Sequence, residues 1–161
     1  MTRVSIEPLT AKAFQPFGDV LDISGAPDRM INQGLCGRYH DRARLEFLDG
    51  RAGVSLFNAE PRTLPYRLEM VERHPDGSQT FIPMTQKPFL VIVAPDTAQG
   101  PGLPRAFRTA PGQAINFLRN TWHGVLTPLT APGLFAVVDR IGPGANLEEF
   151  WFDEPYLVGT E

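Results

Sequence analysis

Apolar residues fall in short runs rich in Val, Ile, Phe and Thr, divided by proline or glycine about every dozen residues, and no long segment keeps helical spacing. The runs predict strands over 19–23, 53–57, 66–74, 79–84, 89–94, 106–109, 114–118, 122–128 and 134–141. One short helix is expected around 10–14, where Thr10 would cap it and Pro16 would end it. Many short strands joined by turn-rich links point to an all-β sandwich or barrel that closes its own edges. No internal repeat, low-complexity tract or long linker interrupts the pattern, so residues 1–161 read as one domain.

Within 66–74, every second residue places Tyr66, Leu68, Met70, Glu72 and His74 on one face, with Arg67, Glu69, Val71 and Arg73 on the other. The first face starts apolar and ends in a glutamate and a histidine. Either the strand has left the core by residue 72, or Glu72 enters the interior, where it needs a pair, hydrogen bonds or a metal. Pro75, Asp76 and Gly77 suit a tight reversal. Beyond it Gln79, Phe81 and Pro83 share a face, so an inward Phe81 carries Gln79 toward His74. Further along, His123 and Val125 share a face opposite Trp122. A lone histidine beside a tryptophan is more often structural than a ligand; two such places in one small β protein shift that balance.

Composition narrows the classes. Of 161 residues, 42% are hydrophobic, enough for one compact core. A formal charge of -3 and a pI near 5.6, with arginines scattered, leave no basic stripe for nucleic acid. The opening MTRVSIEPLT has no signal-peptide stretch, and the apolar run PFLVIVAP is far short of the ~20 residues that span a bilayer, so a soluble cytoplasmic protein is expected, with no membrane partner. The single Cys36 forms no intramolecular disulfide, fits a reducing compartment and reads as a small buried or half-buried side chain.

These residues resemble the cupins, small β-barrels whose first motif carries His-x-His and then a glutamate, and whose second carries another histidine. Glu72 stands at the first histidine's place, His74 at the second, Gln79 at the glutamate's and His123 at the last, with Gly112 and Asn120 at two usual glycine positions. The resemblance implies an all-β, cupin-like β-barrel (double-stranded β-helix, or jelly roll) with little helix. Half of the usual ligand set is changed, yet Glu72, His74 and His123 still make a two-histidine, one-carboxylate group that several divalent metals accept. More narrowly, INQGLCGRYHD (31–41), ERHPDGSQTFIPM (72–84), the Asn, Trp and His of RNTWH (119–123) and VDR (138–140) resemble the ureidoglycolate lyase family, once called ureidoglycolate hydrolase. That resemblance runs through nearly the whole chain and includes His40, His74 and His123.

It implies conversion of (S)-ureidoglycolate to glyoxylate and urea, a step of allantoin degradation. The substrate carbon bears a hydroxyl, a carboxylate and the urea nitrogen. Its elimination needs a base for the hydroxyl proton, an acid for the departing nitrogen and a holder for the carboxylate, and no covalent nucleophile; no Ser-His or Cys-His arrangement is evident. Glu72, His74 and His123 are the candidate catalytic residues. In one version they hold nickel, manganese or zinc, with Gln79 as a weak fourth ligand or an orienting hydrogen bond. In the other a histidine takes the proton directly and Glu72 fixes its tautomer. A structural Glu72–His74 pair is the bland alternative. For the carboxylate, Arg38, Arg73 and Arg140 are weighed. Arg73 alternates away from Glu72, and only one of Asp139 and Arg140 can point inward; Tyr39 shares the segment of Arg38. The candidate substrate-binding set is thus Arg38, Tyr39, Gln79 and Arg140. The resemblance favours a homodimer, and Phe150, Trp151 and Phe152 would serve either a subunit interface or a clasp onto the barrel. A non-catalytic cupin that binds a small carboxylic acid, and an amidohydrolase that releases ammonia from the same substrate, are the alternatives.

Overall fold

The computed structural model describes residues 1–159 and is built almost wholly of strands. In chain order they are β1 (Arg3–Val4), β2 (Ile6–Pro8), β3 (Gly18–Leu21), β4 (Arg29–Ile31), β5 (Cys36–Arg38), β6 (Arg51–Asn58), β7 (Tyr66–Arg73), β8 (Gln79–Pro83), β9 (Phe89–Ala94), β10 (Asp96–Thr97), β11 (Gly100–Pro101), β12 (Arg105–Arg108), β13 (Ala114–Phe117), β14 (Trp122–His123), β15 (Thr127–Pro128), β16 (Leu134–Ile141) and β17 (Glu148–Val158). One short helix, α1 (Ala11–Phe14), begins where Thr10 Oγ1 accepts the Ala13 N–H at 3.1 Å, and it buries Phe14 completely. Among the described residues, no helix is long and apolar enough to cross a membrane.

Two sheets make the body. One runs β1-β17-β7-β14-β9-β12-β2, with β15 also on β9; the other runs β3-β13-β8-β16-β6. Phe89, Val91, Val93 and Phe107 of the first meet Phe81, Ile115, Phe117, Phe135 and Val137 of the second, and Phe14 and Phe17 pack onto the same core. The result is a nearly closed, cupin-like barrel. All six residues of β9 are buried, because Leu90, Ile92 and Ala94 enter a second cluster on its opposite face with Leu68, Val71, Ala106, Trp122 and Val158. Its unbroken apolar run is that of a strand covered on both sides.

Three sequence expectations need correction. Leu68 and Val71 both lie in the second cluster, so the alternation counted from Tyr66 breaks between them, opposite the register shift between Trp151 and Tyr156. Leu68 therefore turns away from the face that carries Glu72. The run at 122–128 is two pieces, because at Gly124 the backbone passes so close to Ile92 that a Cβ would lie 3.2 Å from that side chain. Of the two readings of the C-terminal aromatics, the clasp describes Phe150 and Phe152, which turn into the second cluster as β17 pairs antiparallel with β7 and parallel with β1, while Trp151 stays 61% exposed. Cys36 is exposed, since β5 pairs only with β4 in a two-stranded hairpin of their own.

Candidate active site

β14 lies between β7 and β9, and His123 stands opposite both Glu72 and Val93. Directly opposed residues share a face, and Val93 belongs to the core between the sheets, so Glu72 and His123 face the barrel interior. His123 is 2% exposed, and its ring stacks on Phe117 with centroids 4.3 Å apart and planes 7° from parallel. His74 follows β7, its ring 5.2 Å from that of His123 and its Nε2 4.0 Å from Glu72 Oε1. One donor atom from each of Glu72, His74 and His123 lies within 4.8 Å of the others.

Both imidazoles are oriented from behind. His74 Nδ1 lies 2.8 Å from the Asn146 carbonyl and His123 Nδ1 2.9 Å from that of Gly124. A carbonyl only accepts, so each neutral ring carries its proton on Nδ1 and presents a bare lone pair on Nε2. Both Nε2 atoms are buried and have no hydrogen-bond partner. A carbonyl behind the ring with a free Nε2 in front is the arrangement that orients metal-ligating histidines. Burial, helped by the neighbouring His74, pushes the His123 pKa down from 6.5 to about 3, which keeps it neutral. Burial pushes the Glu72 carboxyl up, against the pull of His74 and with repulsion from Glu149 added.

The surrounding loops hold this geometry. Asn120, at one of the positions where cupins usually have glycine, takes φ 67°, and its N–H bonds the His74 carbonyl at 2.9 Å; Gly112, at the other, takes φ 80°. Asparagine is one of the few side chains that accept this left-handed backbone. Asn146 also accepts the Asp76 N–H through Oδ1 at 2.7 Å, which ties the turn between β7 and β8 to the approach of β17. Gln79, 6% exposed, opposes Phe117 across β8 and β13; its Nε2 donates to Asp139 Oδ2 at 3.2 Å, and its Oε1 is buried without a donor.

Glu72, His74, Gln79 and His123 thus gather at one end of the barrel. Arg38, Tyr39 and Arg140, expected beside them as substrate-binding residues, lie elsewhere within one chain. Arg38 is exposed on the β4–β5 hairpin. Tyr39 donates to the Gly25 carbonyl at 2.9 Å and lines a groove with Ile82 and Ala114, on the outer face of the five-stranded sheet. Arg140 donates to the carbonyls of Leu48, Asp49 and Pro143 at 2.6, 2.9 and 2.8 Å, so its guanidinium braces loops. Arg73 points outward, 4.2 Å over the Trp122 ring and bonded to Glu148 and Asp96. Sequence reasoning missed Asn146, a main-chain partner that no side-chain pattern announces, and left undecided that Asp139, not Arg140, points inward.

A cupin-like barrel with two histidines oriented by carbonyls, a glutamate and a glutamine converging at one end defines the class of protein: a small-molecule site with metal-ligating or acid–base capacity. Comparisons with known proteins narrow it. The family model described as ureidoglycolate lyase matches residues 1–159. The chain is 63% identical over 159 residues to a ureidoglycolate lyase of Rhodobacter capsulatus, covering 98% of this chain and 99% of that one. It is 54% identical over 160 residues to that of Mesorhizobium japonicum, covering 98% of each, and 47% identical over 160 to that of Brucella melitensis, covering 98% and 95%. The chain belongs to the ureidoglycolate lyase family.

Proposed function

We propose that the protein is an enzyme that cleaves ureidoglycolate to glyoxylate and urea. The observation that carries this reading is the set of three buried acceptors without donors, His74 Nε2, His123 Nε2 and Gln79 Oε1, beside the Glu72 carboxyl. Such a site suits a substrate rich in donors, and ureidoglycolate offers a hydroxyl, an N–H and an NH₂. The chemistry needs no covalent nucleophile, and the single cysteine is exposed on a hairpin.

His74 Nε2, with its lone pair free, takes the hydroxyl proton. The electrons left on oxygen form the glyoxylate carbonyl as the C–N bond breaks. Glu72, whose raised pKa favours its acid form, delivers a proton to the departing nitrogen. His74 Nε2 and Glu72 Oε1 stand 4.0 Å apart, beyond direct hydrogen-bond reach, so a water that enters as product leaves carries the proton back to Glu72 and the cycle closes with no net proton change. His123, kept neutral and clamped between the Phe117 ring and the Gly124 carbonyl, accepts a hydrogen bond and fixes the substrate's orientation.

The same residues fit a divalent cation, because both Nε2 lone pairs are bare and both rings are oriented by carbonyls. Nickel, manganese or zinc held by Glu72, His74 and His123 would lower the pKa of a substrate hydroxyl bound there. A homodimer is also part of the proposal: Leu56, Ala136 and Ile82 align laterally on the outer face of the five-stranded sheet, with Leu56 66% exposed, and a second copy would cover them. Sedimentation equilibrium tests it, a monomer at all concentrations refuting it. The cytoplasm suits an enzyme of this kind.

The enzymatic test is to incubate metal-stripped protein with ureidoglycolate against an enzyme-free blank, measuring urea, ammonia and glyoxylate separately, with nickel, manganese or zinc returned in parallel. Urea and glyoxylate rising together without ammonia support the lyase, and dependence on one metal assigns the cation. Ammonia release favours the amidohydrolase instead, and no acceleration in any tube removes the enzyme reading for this substrate.

A further inference from the structure

Gln79 is fixed at one end and incomplete at the other. Its amide nitrogen donates to Asp139 Oδ2 at 3.2 Å, while its carbonyl oxygen is buried with no donor. An ionised carboxylate only accepts, so Asp139 selects the orientation in which the Gln79 nitrogen faces it and the oxygen faces away. The backbone sets this pairing up. Val138 of β16 opposes Thr80 of β8, which brings the next residue on β16, Asp139, alongside Gln79. Gln79 in turn opposes Phe117, whose ring stacks on His123. The unpaired carbonyl oxygen therefore belongs to the same interior end of the barrel as the two bare imidazole nitrogens.

We propose that Asp139 is a positioning residue that holds Gln79 so that its Oε1 accepts an N–H of the departing urea group, which makes this pair the determinant that selects ureido substrates. The inference rests on the lyase reading above and names the part of the substrate that reading leaves unassigned. The hydroxyl, the carboxylate and the inner N–H occur in any N-acyl-2-hydroxyglycine; the terminal NH₂ is what separates urea from other amide leaving groups. A buried acceptor left without a donor keeps its desolvation cost, so an analogue with a methyl in place of that NH₂ is rejected by the unpaired Gln79 carbonyl. Glu72 and Glu149 lie on the β7–β17 side, and the Glu72 carboxyl is already assigned to the proton transfer, which leaves Gln79 Oε1 as the acceptor for the terminal NH₂.

The test compares two probes, ureidoglycolate and N-acetyl-2-hydroxyglycine, which keeps the hydroxyl, carboxylate and inner N–H but carries a methyl at the terminal position. Blank-corrected glyoxylate release yields kcat/KM for wild type, Gln79→Leu, Asp139→Asn and Asp139→Glu, each checked for folding by its thermal midpoint and for bound metal. The wild type is expected to prefer the ureido probe by about 100-fold or more, and Gln79→Leu to reduce that preference to within about threefold. Asp139→Asn, whose amide tolerates either orientation of Gln79, is expected to lower the preference about tenfold, and Asp139→Glu to restore part of it. A preference that survives intact in folded Gln79→Leu overturns the proposal, as does a fall in metal content with the preference unchanged, which would assign Oε1 to the cation. Should Gln79→Leu fail to fold, an unchanged preference in Asp139→Asn overturns it alone. Wild type inactive on both probes removes the lyase reading and this one together; activity on ureidoglycolate with no change of preference in the variants removes only this one.

Discussion

Acidification should weaken the fold through His123. In the unfolded chain its imidazole titrates at 6.5, whereas in the buried site it does so at about 3. Below 6.5 the unfolded chain therefore binds a proton that the folded chain refuses, and stability falls with pH until about 3 is reached. Between pH 7 and pH 5 the loss from this one group comes to about 2 kcal/mol, from about 1.4 kcal/mol per pH unit once the unfolded histidine is mostly protonated. Glu72 acts with the opposite sign, because a raised carboxyl pKa means the folded chain holds a proton that the unfolded chain has released, so falling pH favours the fold through that group. Comparison with His123→Gln isolates the histidine. Urea unfolding of both proteins in chelator, at pH 7 and pH 5, gives two pH-dependent losses. The packing change is the same at both pH values and the Glu72 contribution is shared by both proteins, so each largely cancels in the difference. The wild type should lose about 2 kcal/mol more than the variant. Equal losses would mean that His123 takes up its proton within the fold and would refute the reasoning.

Glu72→Gln keeps the shape of the side chain and removes its proton transfer, so kcat should fall by ~10²–10⁴ with circular dichroism unchanged; a loss below threefold excludes Glu72 as the acid. Equilibrium dialysis against nickel, manganese or zinc should find about one ion per wild-type chain and none per His74→Ala or His123→Ala chain, and a wild type that binds none of them excludes the ligand set. Phe14→Ala, at a fully buried ring edge-on to Phe107 with centroids 5.9 Å apart, should lower unfolding free energy by about 3–5 kcal/mol. A loss under about 1 kcal/mol would show that the barrel end closes over the gap.

Much of the barrel was legible because proline and glycine mark its turns and because β9, β8 and β16 carry their pattern locally. The inward glutamate was legible too, although the row chosen to show it was wrong at Leu68: a register shift set by β17, 75 or more residues away in sequence, flips that side chain, and no local count of alternation can register it. β17 itself hid behind acidic residues and Pro155, since its reason to be a strand is the edges of β7 and β1 that it covers. The β1 and β2 strands are two and three residues long and exist only through parallel partners at 157–158 and 106–108. At the site, His74, Gln79 and His123 were readable from spacing, whereas Arg38, Tyr39 and Arg140 were grouped by shared motif segments, which carry no direction in space. Arg140 shows the difference: its guanidinium serves three loop carbonyls.

The strand that bears Glu72 is flanked by β14 and β17, and the proton of His74 is directed by the carbonyl of Asn146. On a ribosome this means that the reacting groups are made long before the parts that aim them. Until residues 146–158 have emerged, the nascent chain shows a bare edge along β7 and leaves Leu68 and Val71 without Val158 and the aromatic rings that cover their cluster. Such an intermediate is sticky and inert, a natural client for a holding chaperone. A chain arrested with residues 1–145 clear of the exit tunnel should therefore be protease-sensitive and without catalysis, and emergence of β17 should switch on protection and activity together, detectable by pulse proteolysis of arrested chains; protection already complete at that length would show that the barrel closes without β17.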